Sequence, residues 1–279
     1  MSYRFAIVGT AGTIARSHLS AISKVGGTLV AAHDPVDSGM QFIDRIFPDV
    51  KSYKDENKFW FYLRENKVDY LAICAPDKYH FSYIEKCFEY SIIPIVEKPA
   101  VLHSSELDRC LSLSARGQKI YVIHQLREMD LIKRLAKKYS SCKSILDIDL
   151  RYISHRGDWY WKSWRGDPKA AGGLIMDIGI HFLDLLVFLF GKPISNSFQL
   201  NELNRISGNL LLSRANVKYF LSLDRNDLED RSKLYERRLT IAGHDVDLDC
   251  QFYSLHDEVY RRILEGVGTT IVDVKETMD

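Results

Sequence analysis

The chain has 279 residues, of which 46% are hydrophobic, and its 38 basic and 37 acidic side chains leave a formal charge of +1. That size supports two cores, while the charge balance excludes a polyanion-binding or anionic-membrane surface built on net charge, so any anion recognition has to be local. Cys74, Cys87, Cys110, Cys142 and Cys250 are scattered with no Cys-x-x-Cys pair, which argues against a zinc site or a disulfide framework, predicts no metal and fits a reducing cytosol.

The run Tyr3–Val8 reads as a strand and leaves no room for a signal peptide. It ends in Gly9-Thr10-Ala11-Gly12-Thr13-Ile14-Ala15, after which Ala15, Leu19, Ile22 and Val25 recur at helical spacing. Strand, glycine turn and helix let the backbone approach a pyrophosphate and point helix N–H groups at it. The plainer alternative is a βα unit whose glycines only serve packing. A second strand, Thr28 to Ala32, closes on His33-Asp34-Pro35, where a dinucleotide fold places its ribose-binding acid. Asp34 would accept from both ribose hydroxyls and repel a 2′-phosphate, which predicts NAD in preference to NADP.

Helical patterns over 37–46 and 56–65 precede a third strand, Tyr70–Ala75, which ends at Pro76-Asp77-Lys78-Tyr79-His80. Its carboxyl end faces the same crevice, so Cys74, Ala75, Pro76, Asp77 and His80 are candidate cofactor contacts, although His80 fits a helix start equally well. A helix over Phe81–Tyr90 leads to Ile93-Pro94-Ile95-Val96-Glu97-Lys98-Pro99-Ala100. Pro99 lacks an N–H and favours an extended Lys98, so this strand stops where the charges begin. It opens into a loop at the edge where open α/β sheets bind ligands, the alternative being a solvated turn. A helix over Ser104–Arg116 and a strand over Lys119–His124 complete a doubly wound parallel sheet, and a first domain is predicted over 1–124.

A second domain is predicted over 125–279, where the pattern changes. Glu128–Tyr139 looks helical, Ser144–Ser154 alternates like a strand, and a helix over Leu174–Phe190 precedes runs at 194–201, 206–213, 217–223, 236–242 and 245–250. Short strands joined directly predict an α+β domain with a large open, mostly antiparallel sheet, one face under the helix and the other a natural oligomer surface. Asp177, His181 and Asp184 interrupt the apolar helix, so no membrane span is predicted. Their spacing puts them on one helical face, either for chemistry or as a satisfied core histidine held by Asp177. The loop Arg156–Lys169 interleaves basic and aromatic residues. Arg156, Tyr160, Lys162, Trp164 and Arg165 are accordingly candidate contacts for an anion and a ring, an interface loop being the alternative.

The Gly9–Ala15 turn, Glu97-Lys98-Pro99 and Asp177-x-Gly179-x-His181, in this order and spacing, resemble the glucose-fructose oxidoreductase / inositol dehydrogenase (Gfo/Idh/MocA) family. Gln125-Leu126-Arg127, Tyr152–Tyr160 and Lys162–Asp167 look like the branch that oxidises UDP-N-acetylglucosaminuronate at sugar carbon 3 for bacterial lipopolysaccharide O-antigen. The resemblance implies an NAD-binding Rossmann domain and a cytoplasmic enzyme that forms homodimers or homotetramers, with no nucleic-acid or membrane partner. It implies cofactor contacts from Gly9, Thr10, Ala11, Gly12, Thr13, Ile14, Asp34, Cys74, Ala75, Pro76, Asp77, His80, Glu97, Lys98, Gln125 and Arg127. Lys98 and His181 enter catalysis, either one serving as base, with Asp177 orienting His181. Asp177 and His181 join the Arg156–Arg165 residues as substrate contacts. Ala11 replaces the usual middle glycine, Asp77 stands where Asn is common, and the chain ends where relatives usually continue through another helix. Dehydrogenation of a free sugar or inositol, and a non-catalytic NAD-binding regulator, are the alternative functions.

Overall fold

The computed structural model describes residues 2–36, 40–248 and 255–278. The chain forms two compact units, Met1–Gln125 with Ser254–Lys275, and Leu126–Tyr253 with Glu276–Asp279.

The first unit runs β1 (Arg4–Val8), α1 (Ala15–Lys24), β2 (Thr28–His33), α2 (Met40–Ile46), β3 (Lys51–Tyr53), α3 (Glu56–Glu65), β4 (Tyr70–Ile73), α4 (His80–Glu89), β5 (Ile93–Val96), α5 (Ser104–Ala115) and β6 (Tyr121–Val122). The six strands are parallel, in the order β3-β2-β1-β4-β5-β6. Strands β1, β2 and β4 are buried almost throughout, which is why they read as unbroken apolar runs. The chain winds outward from β1 in one direction and from β4 in the other, leaving a crevice at the carboxyl edge between them. β3 is a strand the sequence reading missed: three residues, none fully buried, give no periodicity to detect. Residues 37–39 of the second predicted helix lie outside the described residues.

The second unit begins with α6 (Asp130–Tyr139), β7 (Leu146–Ser154), α7 (Asp158–Lys162), α8 (Pro168–Ala171) and α9 (Ile180–Phe190). It continues with β8 (Pro193–Asn201), β9 (Arg205–Leu212), β10 (Ala215–Ser222), β11 (Tyr235–Ile241) and β12 (His244–Val246). The order is β12-β11-β7-β10-β9-β8, antiparallel except for the β7–β10 pair. The last predicted run stops early, its residues 249 and 250 lying outside the described set. Pro168–Phe190 is long and apolar enough by length and composition to cross a membrane, yet 61% of its most apolar window is buried within the structure. It is a core segment under the sheet: a Cβ on Gly179 would come within 2.6 Å of Leu221 Cδ1 on β10, and the Tyr152 and Phe182 rings lie 4.6 Å apart.

The predicted boundary of 125–279 needs one correction, since α10 (Leu255–Leu264) returns to the first unit. Its Val259, Tyr260 and Ile263 join Phe5, Leu19 and Ile22 in one core, and Lys24 pairs with Asp257 at 2.7 Å. Beyond it, Val122 N–H donates to the Thr269 carbonyl and Ile271 N–H to that of Ile120. These bonds cover the open edge of β6.

Candidate functional site

At the crevice, Gly9 has φ +82°, and a Cβ there would lie 2.3 Å from Ala75 N and 2.4 Å from the Cys74 carbonyl. The glycine turn and the end of β4 therefore touch backbone to backbone, a contact only glycine allows. Ala11, Gly12 and Thr13 are exposed, while Thr10 is buried and Ile14 half-buried. α1 starts without a side-chain cap and without an acid in its first turn. An uncapped helix N-terminus behind an exposed glycine turn suits a pyrophosphate. Asp34, 5% exposed, accepts from Ala11 N–H at 2.7 Å with Oδ2 and from Val36 N–H at 2.8 Å with Oδ1. A carboxylate accepts at about four lone-pair sites, so capacity for a ribose diol remains. The residues present thus fit NAD.

Further along the same edge, His80 clamps two loops together. Its Nε2 lies 2.8 Å from the Ala75 carbonyl and its Nδ1 2.7 Å from that of Pro99. Two carbonyls ask for an imidazolium, but burial outweighs them and pulls the pKa down, so the neutral ring donates its one N–H to one carbonyl and leaves its other nitrogen facing the second. His80 is structural to this edge, and Asp77 is buried beside it, its carboxylate 4.0 Å from Nε2. Burial also pushes the Cys74 thiol well up, which makes it an inert core residue. Lys98 is half-buried after β5, and the Lys98–Pro99 peptide is cis.

Glu97 turns inward. Its Oε1 accepts from His18 Nε2 at 2.8 Å and His256 Nε2 at 3.2 Å, and His18 Nδ1 faces the Tyr260 hydroxyl at 2.7 Å. Burial alone would raise this carboxyl's pKa, but the hydrogen bonds from the two histidines hold it well below the ordinary glutamate value. The sequence reading missed His18, His256 and Tyr260. The available signal was a histidine inside the apolar stripe Ala15, Leu19, Ile22, all buried on α1.

In the second unit, Asp177 is buried and accepts from Arg165 Nη1 at 2.6 Å. It also hydrogen-bonds Tyr160, whose phenol is pushed up first by burial and then by that carboxylate. Residues 175–179 form a π turn rather than the α-helix the spacing predicts. His181 is half-buried in the first turn of α9. Asp184, also expected on that polar face, is held by both Arg127 donors at 2.6 and 2.8 Å, with Thr277 Oγ1 donating at 2.9 Å. The Arg127 fork is thus committed to a carboxylate. Arg165 lies 4.5 Å over the Trp164 ring, and Lys162 is exposed. Among the described residues, Arg156 Nε and Gln125 Oε1 are buried polar atoms without a hydrogen-bond partner.

Family models match two stretches: the NAD-binding Rossmann fold of an oxidoreductase family at residues 3–125, and the C-terminal alpha/beta domain of the same family at 142–227. By structure the chain is similar to the WlbA (WbpB) dehydrogenase of Thermus thermophilus, solved with NAD and alpha-ketoglutarate and with NAD and UDP-GlcNAcA. The identity is 35%, with TM-scores of 0.95 and 0.94 over 99% of this chain and 92% of that one. WlbA of Chromobacterium violaceum shares the fold at 16% identity, with TM-score 0.83 over 99% of this chain and 91% of that one. A curated relative, scyllo-inositol 2-dehydrogenase (NADP(+)) of Bacillus subtilis strain 168, is 22% identical over 67% of this chain and 50% of its own length. The chain spans 36% to 44% of the first curated relatives it matches.

Proposed function

Because the chain belongs to the Gfo/Idh/MocA oxidoreductase family, we propose that it is an NAD-dependent dehydrogenase of a nucleotide sugar acid, oxidising UDP-N-acetylglucosaminuronate at sugar carbon 3. The observation that carries this reading is the 35% identity, over nearly the whole of both chains, to a dehydrogenase bound to NAD and UDP-GlcNAcA. The first unit binds the cofactor, with the Gly9–Ile14 turn on its pyrophosphate and Asp34 on its ribose. The carboxyl edge at Cys74–Asp77 and Lys98 serves the nicotinamide half, and the second unit carries the substrate contacts.

Bound NAD supplies the hydride acceptor. The chain must then take the proton of the reacting hydroxyl, and Lys98 and His181 are the two groups assigned to that work, one as base and the other orienting the sugar. Asp177 serves the substrate loop by holding Tyr160 and Arg165. Arg156, whose Nε is buried and unpartnered among the described residues, is the first choice to grip the sugar carboxylate.

We place the enzyme in the cytoplasm, in O-antigen assembly, as a homodimer or homotetramer built on the open sheet. Edge strand β8 supports that assembly, with Ile194 61% and Phe198 49% exposed. The test is NADH formation with UDP-N-acetylglucosaminuronate, UDP-N-acetylglucosamine and myo-inositol in parallel. We expect the first to be preferred, and preference for the free polyol would move the chain to another branch of the family.

A further inference from the structure

The network around Glu97 has no part in the chemistry assigned so far. Glu97 is 6% exposed, His18 0% and His256 9%. The carboxylate accepts from both imidazoles through Oε1 and from the Lys98 backbone N–H, at 3.2 Å, through Oε2. Tyr260 fixes the proton positions. Burial keeps its phenol protonated, so its O–H donates to His18 Nδ1, and His18 must carry its own proton on Nε2, aimed at Glu97. That describes a neutral His18, in keeping with a pKa pulled down by burial. The same three side chains could hold a metal, their ligating atoms lying within 4.8 Å of one another. The protons needed for the contacts at 2.8 and 3.2 Å favour a hydrogen-bonded carboxylate instead.

The sheet says where this charge is felt. Asp34 closes β2 on one side of the crevice and the Gly9 turn lies at its centre. A dinucleotide with its adenosine ribose at Asp34 therefore extends its other half across the ends of β4 and β5, and Glu97 directly follows β5. The ring on that half is cationic when oxidised and neutral when reduced. Resting on the reading that the first unit binds NAD, we propose that the buried Glu97 carboxylate, oriented by His18, Tyr260 and His256, discriminates between the two oxidation states of the cofactor by favouring the cationic ring. Glu97 acts here through its field, and the other three are positioning residues that keep the carboxylate charged and in place.

The test uses three ligands: NAD+, NADH and benzamide adenine dinucleotide, an analogue of NAD+ with an uncharged ring. In Glu97→Gln the Kd for NAD+ should rise about tenfold while those for the two uncharged-ring ligands stay within about twofold, the size expected of one charge acting over several ångströms of protein. Weakening of all three together, or of none, overturns the inference, because a purely structural Glu97 would not tell the ligands apart. If the variant does not fold, the wild type decides: NAD+ should bind several-fold more tightly than the benzamide analogue, and equal affinity overturns the inference. A stoichiometric metal in the purified protein would also overturn it. A wild-type chain that binds none of the three sinks the cofactor reading and this inference with it, whereas binding without discrimination sinks this inference alone.

Discussion

Asp34 accepts one backbone N–H from the glycine turn and one from its own loop, so with NAD seated as proposed its charge is held where a 2′-phosphate would have to sit. Asp34→Ala should shrink the preference for NAD over NADP by about tenfold, the worth of a charge-assisted hydrogen bond, as read by titration with both cofactors. Lys98→Met and His181→Ala should each lower turnover by roughly a hundredfold or more with NAD still bound, the usual scale for a lost general base. Wild-type turnover in either variant removes that residue from the chemistry. The two arginines expected to grip an anion separate clearly in the structure. Arg165 is paired with Asp177, so Arg165→Ala should act mainly by loosening Tyr160. Arg156→Ala should cost the preference for UDP-N-acetylglucosaminuronate over UDP-N-acetylglucosamine about tenfold, since that preference measures one carboxylate contact. Competition binding distinguishes these outcomes. The identities of these residues were legible in the sequence as a basic and aromatic loop. Their pairing was not, because nothing in residue order says that Arg165 turns back to a carboxylate on the next helical segment.

At the scale of elements, the strands of the first sheet were legible because burial on both faces writes an apolar run, whereas β3 was hidden by its length and exposure. The helix over Leu174–Phe190 was legible as apolar, but its π turn was not, and neither were the arginines that its two acids hold. Asp184 and Arg127 are 2% and 7% exposed and pair through two hydrogen bonds, tying α9 to the segment before α6. Removing one partner strands a buried charge, and Asp184→Ala should destabilise the protein by about 3–5 kcal/mol in urea unfolding. Exchanging both residues for apolar ones of similar volume should cost less than either single change. A single variant indistinguishable from wild type would mean that the pair is not buried in solution.

For the whole molecule, His18 and His80 make stability depend on pH in a definite direction. Burial lowers both below the ordinary value of 6.5, so as pH falls through that value the unfolded chain takes up protons that the native rings refuse. Stability is therefore full above 6.5 and declines below it, at up to about 1.4 kcal/mol per pH unit for each ring. At lower pH, Glu97 adds a further loss as protons bind the unfolded carboxyl in preference to the native one. The melting temperature should fall steadily from pH 7.5 to 5.5, and a flat profile would mean that these rings are not buried neutral. The division near residue 125 was legible from the change of pattern, but the return of α10 was not, since a lone amphipathic helix does not announce which core it will join. That return governs how the protein comes off the ribosome. Tyr260 packs against Phe5 at 5.9 Å and hydrogen-bonds His18 across a separation of 242 residues, so the first sheet waits, with part of its core missing, until that whole stretch has been translated. The strands of the second sheet, which run from Leu146 to Val246, all lie within that stretch. The first unit thus closes its core only after every strand of the second sheet has been made, and a nascent chain exposes that unfinished core throughout the interval.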